Sequence, residues 1–472
     1  MKTEFLCLYS PSPLGGEGLG VRSPSPTNGD MLGAPASAHL NLFLEARMLY
    51  DFSEACLKMK RLLVLLLMVT IGCASSNPLQ TLLSNFLANN AQKSGASGVL
   101  LTVQCPALNN GAPLDLTAGE MRKDGPSFPE NAMFQIGSNS KSFTAVVLLQ
   151  LEAEGLLGKS GLESTVDNFF GSSYPKWSKI TIKQLLNMTS GIPDFAEDST
   201  VLGLYNSKPY DQITADVILD SEKIKKLLFA AGTGWRYSNT NYALAGKIVE
   251  HVTQNSINVE IKKRILMPLN LQHTYYVVNL PKGSVPFEQW PLLVSGYYNA
   301  NIATLTKPNF GPAQDIKDYS LSITNAAGSI MSDTQDLNTY ARSLFQPKEL
   351  GGKLLTADQI NNKLLAFVAN DPSDAISAGQ SISVINAKNP NGYGLGIDAH
   401  YDSQSGLVWY GHTGGTYGFM SVWSYSPNQQ ISLVTVINSF SNDAGNELLQ
   451  FSYNPVTDFM VQHCLPVSTS DN

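Results

Sequence analysis

The sequence offers little that would tie it to a membrane span, a nucleic acid or a metal. No apolar run among its 472 residues is long enough to cross a bilayer. Its net charge is −7 and it has no long basic run, so we expect no nucleic-acid partner. The histidines are scattered, and neither an H-E-x-x-H nor a C-x-x-C pattern occurs, so we predict no metal site and no cofactor. The ordinary composition is typical of a soluble globular protein of one or two domains.

The first 58 residues differ from the rest, because they are rich in Pro, Gly and Ser and have no sustained periodicity. A basic Met59-Lys60-Arg61 then precedes an apolar run at 62–71 and a stretch of small residues. This order is typical of a secretory signal, which we predict at 59–76. Since such signals begin a chain, we interpret residues 1–58 as a non-native extension. A disordered tail before a buried helix is the alternative.

Cys73 follows Thr70-Ile71-Gly72 in a pattern similar to a bacterial lipobox. A lipid on Cys73 would tether the mature protein to a membrane. Thr70 departs from the usual leucine, so simple cleavage near Ser75 or Ser76 is the competing interpretation. In either case we expect an exported protein, periplasmic or extracellular.

Two further cysteines, Cys105 and Cys464, remain in the mature part of the chain. Export to an oxidising compartment permits a disulfide between them. Two separate buried thiols are the other interpretation, since sequence alone does not fix connectivity.

Hydrophobic periodicity predicts strands near both ends of the region 77–465 and mostly helices between them. We therefore expect one α+β domain at 77–465 whose sheet is built from both ends, with a helical subdomain at about 160–300. The predicted helices lie at 79–90, 141–157, 180–188, 241–253, 257–266, 333–344 and 450–463. The predicted strands lie at 98–105, 114–118, 408–412, 420–425 and 431–438.

Three short patches carry the chemistry: Ser138-Asn139-Ser140-Lys141, Tyr237-Ser238-Asn239 and His412-Thr413-Gly414. In this order they supply a nucleophile, a proton-transfer pair and a strand to hold an acyl substrate. Each patch alone is weak evidence, because Ser173-Tyr174-Pro175-Lys176 also fits S-x-x-K.

The segments around these patches resemble the β-lactamase-related serine hydrolases. That group includes class C β-lactamases, D-alanyl-D-alanine carboxypeptidases of the penicillin-recognising type and related esterases. The similarity covers about residues 80–450, and its most specific parts lie at 134–145, 185–194, 234–242 and 411–415. The resemblance implies a β-lactamase/transpeptidase-like fold, an antiparallel sheet flanked by helices with an inserted helical domain. The site would lie in the groove between the two parts.

Residue types and spacing indicate roles for four residues of the first two patches. Ser138 is the predicted nucleophile, at the start of a helix that places Lys141 beside it. Burial and the helix terminus would lower the pKa of Lys141 and let it take the Ser138 proton. Tyr237 would share the proton relay, and Asn239 would orient Lys141 and the substrate amide.

The third patch is predicted to line the groove as a strand. His412, Thr413, Gly414 and Gly415 would bind substrate, with the glycines letting its backbone lie close. By resemblance, the N–H groups of Ser138 and Gly415 form the oxyanion hole. His412 replaces the lysine of most β-lactamases, and a neutral histidine attracts a carboxylate less.

The predicted activity is hydrolysis of a small amide or ester through an acyl-Ser138 intermediate. A D-Ala-D-Ala peptide of peptidoglycan is the first substrate choice, an ester the second and a β-lactam the third. A penicillin-binding-like module that recognises cell-wall peptides without turnover is the alternative.

Overall fold

A computed structural model places segments from both ends of the domain in one antiparallel sheet. It describes residues 77–278, 284–299, 314–346, 354–371, 377–441 and 444–465. The predicted leader at 59–76, with Cys73, and the extension at 1–58 lie outside the described residues. Within those ranges, no helix is both long and apolar enough to cross a membrane.

The strands form one large and two small sheets in the described part of the chain. Their bounds are β1 Gly98–Gln104, β2 Leu114–Gly119, β3 Phe134–Gln135, β4 Tyr275–Tyr276, β5 Tyr297–Tyr298, β6 Gln314–Asp315, β7 Ile330–Ser332, β8 Asn391–Tyr393, β9 Asp398–Tyr401, β10 Val408–Thr416, β11 Phe419–Ser426, β12 Ile431–Ile437 and β13 Ser439–Phe440. The large sheet has the antiparallel order β2-β1-β12-β11-β10-β9-β8. The small sheets have the orders β13-β5-β6 and β3-β7-β4.

Most of the helices lie between β3 and β8. Their bounds are α1 Pro78–Ser94, α2 Ser140–Ala153, α3 Val166–Phe170, α4 Ile182–Leu186, α5 Ser199–Ser207, α6 Ala215–Glu222, α7 Asn239–Thr253, α8 Ile257–Ile261, α9 Met267–Leu269, α10 Thr334–Phe345, α11 Ala357–Gln359, α12 Ala444–Phe451 and α13 Thr457–Cys464. Helices α3 to α9 fall in the segment for which the sequence predicts a helical subdomain.

Alternating side chains of the large sheet contribute to two apolar cores, one on each face of the sheet. In β1, Val99 and Leu101 pack with α1, α12 and α13, whereas Leu100 joins the larger core with α2 and α10. Phe143 of α2 stacks on Tyr340 of α10 with ring centroids 3.7 Å apart. The larger core therefore fixes α2, and the turn before it, against the sheet.

The predicted fold class and the sheet built from both chain ends are confirmed. Three helix predictions are wrong at one end. The helix predicted at 79–90 continues to Ser94. The helix predicted at 141–157 ends at Ala153, where Gly155 follows with φ +75°. The closing helix predicted at 450–463 begins at Ala444 and passes through a wider turn at Ser452–Val456 that contains Pro455.

A disulfide joins Cys105, directly after β1, to Cys464 at the end of α13. The two cysteines are 359 residues apart in sequence and both are buried. The bond links the end of the first strand to the last helix. The sequence left open a disulfide or two separate thiols, and the structure contains the disulfide.

Candidate active site

Ser138 lies in a tight turn, Gly137–Asn139, that leads into α2. Gly137 adopts φ +51°, and a Cβ there would lie 2.6 Å from the carbonyl oxygen of Gly415. The buried Asn139 amide donates from Nδ2 to Ile136 O at 2.9 Å and to Ser421 Oγ at 2.7 Å. The turn is thus held against β10 and β11, and Ser138 itself stays partly accessible.

Gly414 packs closely against the turn that carries Ser138. A Cβ at Gly414 would lie 1.9 Å from Ile136 O, so its missing side chain admits the nucleophile turn. Gly415 is the exposed member of the pair, and its N–H lies beside the Gly137-Ser138 peptide. Ser138 and Gly415 both line the cavity that opens beside the turn.

Lys141 is completely buried, and its Nζ contacts three oxygens. It lies 2.8 Å from Ser138 Oγ, 2.7 Å from Asn239 Oδ1 and 3.0 Å from Ala327 O. The amide and carbonyl oxygens can only accept, so Nζ donates a hydrogen to each. A neutral amine has two hydrogens and one lone pair, so the lone pair is left for the Ser138 hydroxyl.

Burial lowers the pKa of Lys141 to about 7, against the opposing effects of Asp194 and Asp398. An amine with this pKa is substantially neutral at physiological pH. It can therefore accept the Ser138 proton, which an ordinary exposed lysine cannot.

Asp194 fixes the orientation of Asn239, at the start of α7. Asn239 donates to its carboxylate from the backbone N at 3.0 Å and from Nδ2 at 2.9 Å. Because Nδ2 is used in this way, Oδ1 must face Lys141. Asp194 is buried, which raises its pKa, and it also accepts a hydrogen bond from the N–H of Ala196 at 3.1 Å.

Tyr237 lies close to the amine of Lys141. Lys141 Nζ is 4.8 Å from the centroid of its ring. Burial raises the pKa of Tyr237 far above its usual value, while an interaction with the Ser138 side chain opposes this shift. Tyr237 is therefore a neutral phenol, able to pass a hydrogen to an atom bound at Ser138.

His412 is buried in β10 and held neutral. Its Nδ1 lies 2.5 Å from Thr413 O, which can only accept, so Nδ1 carries the hydrogen. Nε2 then accepts from the Tyr393 hydroxyl at 3.0 Å. Burial, and secondarily the charge of Lys141, lowers the pKa of His412 to about 3. The residue supplies no cation to this end of the site.

Asp398 of β9 lies next to His412, with 3.9 Å between Oδ2 and Nε2. Its side chain is 39 % accessible, and the loss of hydration in the folded protein raises its pKa to about 7. This end of the site therefore has a neutral histidine and an acidic group, where the lysine of most β-lactamases would be positive.

A cavity of about 200 Å³ opens beside Ser138 at the other end of β10. Ser138, Asn239, Gly415 and Gln135 line it, and we call the part that these residues form the polar end. Its wall is otherwise mainly apolar and aromatic and includes Phe195, Leu202, Tyr205, Ile316, Ile323, Tyr417 and Phe440. We call the part lined by these apolar and aromatic side chains the apolar end.

The structure brings the predicted residues together. Hydrogen bonds link Ser138, Lys141 and Asn239; Tyr237 and His412 lie beside them, with ring centroids 6.2 Å apart. Thr413 is half-buried and contributes the carbonyl that fixes His412.

Sequence reasoning missed Asp194 and Asp398. Asp194 follows a Ser-Gly-Ile-Pro turn in one of the segments that carry the family resemblance, and that was the available signal. Asp398 had none, because only the pairing of β9 with β10 brings it near His412.

One cluster in the described residues, His273, Asp333 and Asp336, has metal-ligand types close together. Protein donors already use three of its four carboxylate oxygens. His273 Nδ1 lies 2.8 Å from Asp333, and Asp336 accepts from the His273 N–H and the Thr274 hydroxyl. Asp333 also caps α10, so we interpret the cluster as a structural tie.

The chain matches the family model described as Beta-lactamase over residues 87–451. Among curated proteins it is similar to Protein flp of Staphylococcus aureus (strain MRSA252), 27 % identical over 307 residues, or 65 % of this chain and 52 % of that protein. It is 29 % identical over 217 residues to Penicillin-binding protein 4* of Bacillus subtilis (strain 168), 46 % of each. The chain spans about half the length of these curated relatives.

Solved structures show the same fold. The D-stereospecific amidohydrolase from Streptomyces sp. is 26 % identical with a TM-score of 0.61, over 80 % of this chain and 98 % of that one. The D-amino acid amidase from Ochrobactrum anthropi SV3 is 22 % identical with a TM-score of 0.64, over 81 % and 100 %. The family match, which covers more than half of the chain, shows that the chain belongs to the Beta-lactamase family.

Proposed function

We propose that the protein hydrolyses a peptide-like amide through an acyl-enzyme on Ser138, and that an ester is its second substrate class. One observation carries the proposal. Ser138 Oγ lies 2.8 Å from the Nζ of a completely buried Lys141 whose two amine hydrogens have carbonyl-type acceptors. The hydroxyl of Ser138 is thereby left facing a lone pair.

The proposed reaction has two acyl-transfer steps. Lys141 takes the Ser138 proton as Oγ bonds to the substrate carbonyl carbon, and the N–H groups of Ser138 and Gly415 bind the resulting oxyanion. The C–N bond breaks as a proton passes through Tyr237 to the leaving nitrogen. Water then attacks the ester carbon, its proton returns to Ser138 Oγ, and the acid leaves.

Charge at the His412 end favours a leaving group without a carboxylate. Tyr237, the proposed donor to the leaving nitrogen, has its ring 6.2 Å from that of His412, so the leaving group lies at this end. A neutral His412 and the acidic Asp398 would not attract an anion. A D-Ala-D-Ala carboxypeptidase or β-lactamase activity is therefore less favoured than cleavage of an uncharged amide. The amidase described for the Ochrobactrum anthropi neighbour agrees with this choice.

A matched pair of peptides tests the proposal. N-acetyl-D-phenylalanyl-D-alanine and its C-terminal amide differ only in the charge of the leaving group. We expect the amide to be cleaved with a kcat/KM at least about tenfold higher, and Ser138→Ala to abolish both reactions. A preference for the free acid would return the assignment to a carboxypeptidase. Binding without turnover, unchanged in Ser138→Ala, would support the non-catalytic module.

We also propose that the protein is exported, as a lipoprotein anchored through Cys73 or as a free periplasmic or extracellular enzyme, with peptidoglycan within reach. The Cys105–Cys464 bridge supports an oxidising compartment. Radiolabelled palmitate should enter the wild-type protein and not Cys73→Ala. Absence of label from both would leave the free form, and native peptides from residues 1–58 would contradict the start at Met59.

A further inference from the structure

We propose that Gln135 recognises an amide group on the acyl part of the substrate, next to the scissile carbonyl, while the apolar end of the cavity holds a large side chain. The substrate class is then an acylated amino acid or peptide with a bulky apolar residue at the cleaved bond. This inference rests on the proposed acyl transfer at Ser138.

The side chain of Gln135 is buried without a protein partner. The residue is 1 % exposed, and neither Nε2 nor Oε1 makes a hydrogen bond to any described residue. Nearly all buried polar groups in proteins are hydrogen-bonded, since an unsatisfied one destabilises the fold. Gln135 ends the two-residue strand β3, whose backbone pairing with Met331 of β7 does not use the side-chain amide.

The position of Gln135 connects this amide to catalysis. It lies three residues before Ser138 and lines the same cavity, together with Asn239 and Gly415. A substrate carbonyl at Ser138 would place the neighbouring atoms of its acyl part at this polar end. A leucine or methionine would fill such a place without the unsatisfied polar atoms, so the glutamine has a cost in the empty site that a ligand would remove.

A peptide amide fits both atoms of the Gln135 side chain. Its N–H can donate to Oε1 while its C=O accepts from Nε2. A free ammonium group can satisfy only Oε1. The geometry therefore favours an acylated nitrogen over a free amino terminus.

The apolar end of the cavity determines which substrate side chain can bind. Phe195, Tyr205, Tyr417 and Phe440 surround it, and Tyr205 stacks on Tyr417 with centroids 5.4 Å apart. An apolar cavity of about 150 Å³ is large enough for benzene, and this cavity has about 200 Å³. It accommodates one aromatic ring or a branched aliphatic chain.

Three p-nitrophenyl esters with one leaving group separate the contributions. They are the esters of N-acetylphenylalanine, phenylalanine and 3-phenylpropanoic acid. Each of the two amino-acid esters is tested as both enantiomers. For the wild-type protein we expect the N-acetylated ester of the preferred enantiomer to have the highest kcat/KM. In Gln135→Met, which keeps length and removes both polar atoms, that value should fall by about tenfold or more. The 3-phenylpropanoyl ester should change less than about twofold.

Two controls make the result decisive. Gln135→Met should unfold at the same temperature as wild type or higher, because it removes buried unsatisfied atoms. Ala196→Phe, which narrows the apolar end, should lower kcat/KM for the N-acetylphenylalanyl ester relative to the N-acetylalanyl ester.

Several outcomes would overturn the inference. An equal fall on all three esters in Gln135→Met would mean a structural role, and no fall would mean no recognition. Highest activity on the free-amine ester would exclude the acylated class. A wild-type protein that forms no acyl-enzyme with any ester would instead contradict the proposed function.

Discussion

Asp194 accepts two hydrogen bonds from Asn239, at 3.0 Å from its backbone N and 2.9 Å from Nδ2. The pair determines which atom of the Asn239 amide faces Lys141. Since Oδ1 accepts from the lysine at 2.7 Å, one amine hydrogen is directed away from Ser138. Through Asn239, the carboxylate of Asp194 sets the direction of the Lys141 lone pair that activates Ser138, although Asp194 does not contact Ser138.

Asp194→Asn should therefore lower kcat without unfolding the protein. The new amide opposes Nδ2 of Asn239 and favours rotation of that side chain, which would turn an NH₂ group toward Lys141. We expect a loss of about tenfold to a hundredfold in kcat, the range for misorientation of a catalytic group. Steady-state kinetics with thermal unfolding measures both effects. A variant that keeps full kcat would show that the orientation of Asn239 is unimportant.

The pH dependence should follow Lys141. Because its pKa is lowered to about 7 by burial, the neutral and reactive form increases as pH rises through this value. We expect kcat/KM to rise from acid pH and level off above about pH 8. Asp398 titrates in the same range, so the limb belongs to the pair of groups and not to one residue.

Removing the nearby negative charges should move this limb in a known direction. Asp194 and Asp398 both raise the pKa of Lys141 through their charge. Asp398→Asn, and Asp194→Asn to the extent that it remains active, should shift the limb to lower pH. A shift to higher pH would contradict the placement of these charges near the amine.

His412→Lys should change leaving-group preference. The lysine would add a cation where the wild-type protein has a neutral imidazole, so penicillin acylation and cleavage of a peptide with a free carboxylate should both increase. His412→Gln, which stays neutral, is the matched control and should show no such gain. Asp398 is close enough to pair with the new lysine, so both substitutions should also be compared in a protein that carries Asp398→Asn.

Loss of the disulfide should reduce stability more than activity. Cys105→Ala with Cys464→Ala releases a link between residues 359 apart. We expect a fall of about 2–5 kcal/mol in the free energy of unfolding, from the greater freedom of the unfolded chain. Urea titration of the double variant and of the reduced wild type should give matching values. Equal stability of oxidised and reduced protein would show that the bond adds nothing.

Periodicity was sufficient to predict five of the seven strands of the large sheet, all except β8 and β9, and most long helices, because each pattern is local to its own element. The S-x-x-K patch was equally local, since one helical turn brings Lys141 to Ser138. The surroundings of Lys141 are not local. Its other two acceptors are 98 and 186 residues away in sequence, and their positions depend on tertiary packing.

Other features of the site escaped prediction for the same reason. The close approach of Gly414 to the carbonyl of Ile136 is one, because only the packing of β10 against the turn at Gly137–Asn139 reveals it. Asp398 was not recognised, because its strand is short and pairs with β10 by a long-range contact.

The central claim is that Lys141 activates Ser138, and intact mass after reaction with a fluorophosphonate tests it most directly. The matched control is the second S-x-x-K sequence, where Ser173 and Lys176 are both exposed. We predict one adduct on wild type and on Ser173→Ala, none on Ser138→Ala, and slow labelling of Lys141→Met. Equal labelling of Ser138→Ala and wild type, or undiminished labelling of Lys141→Met, would contradict the account.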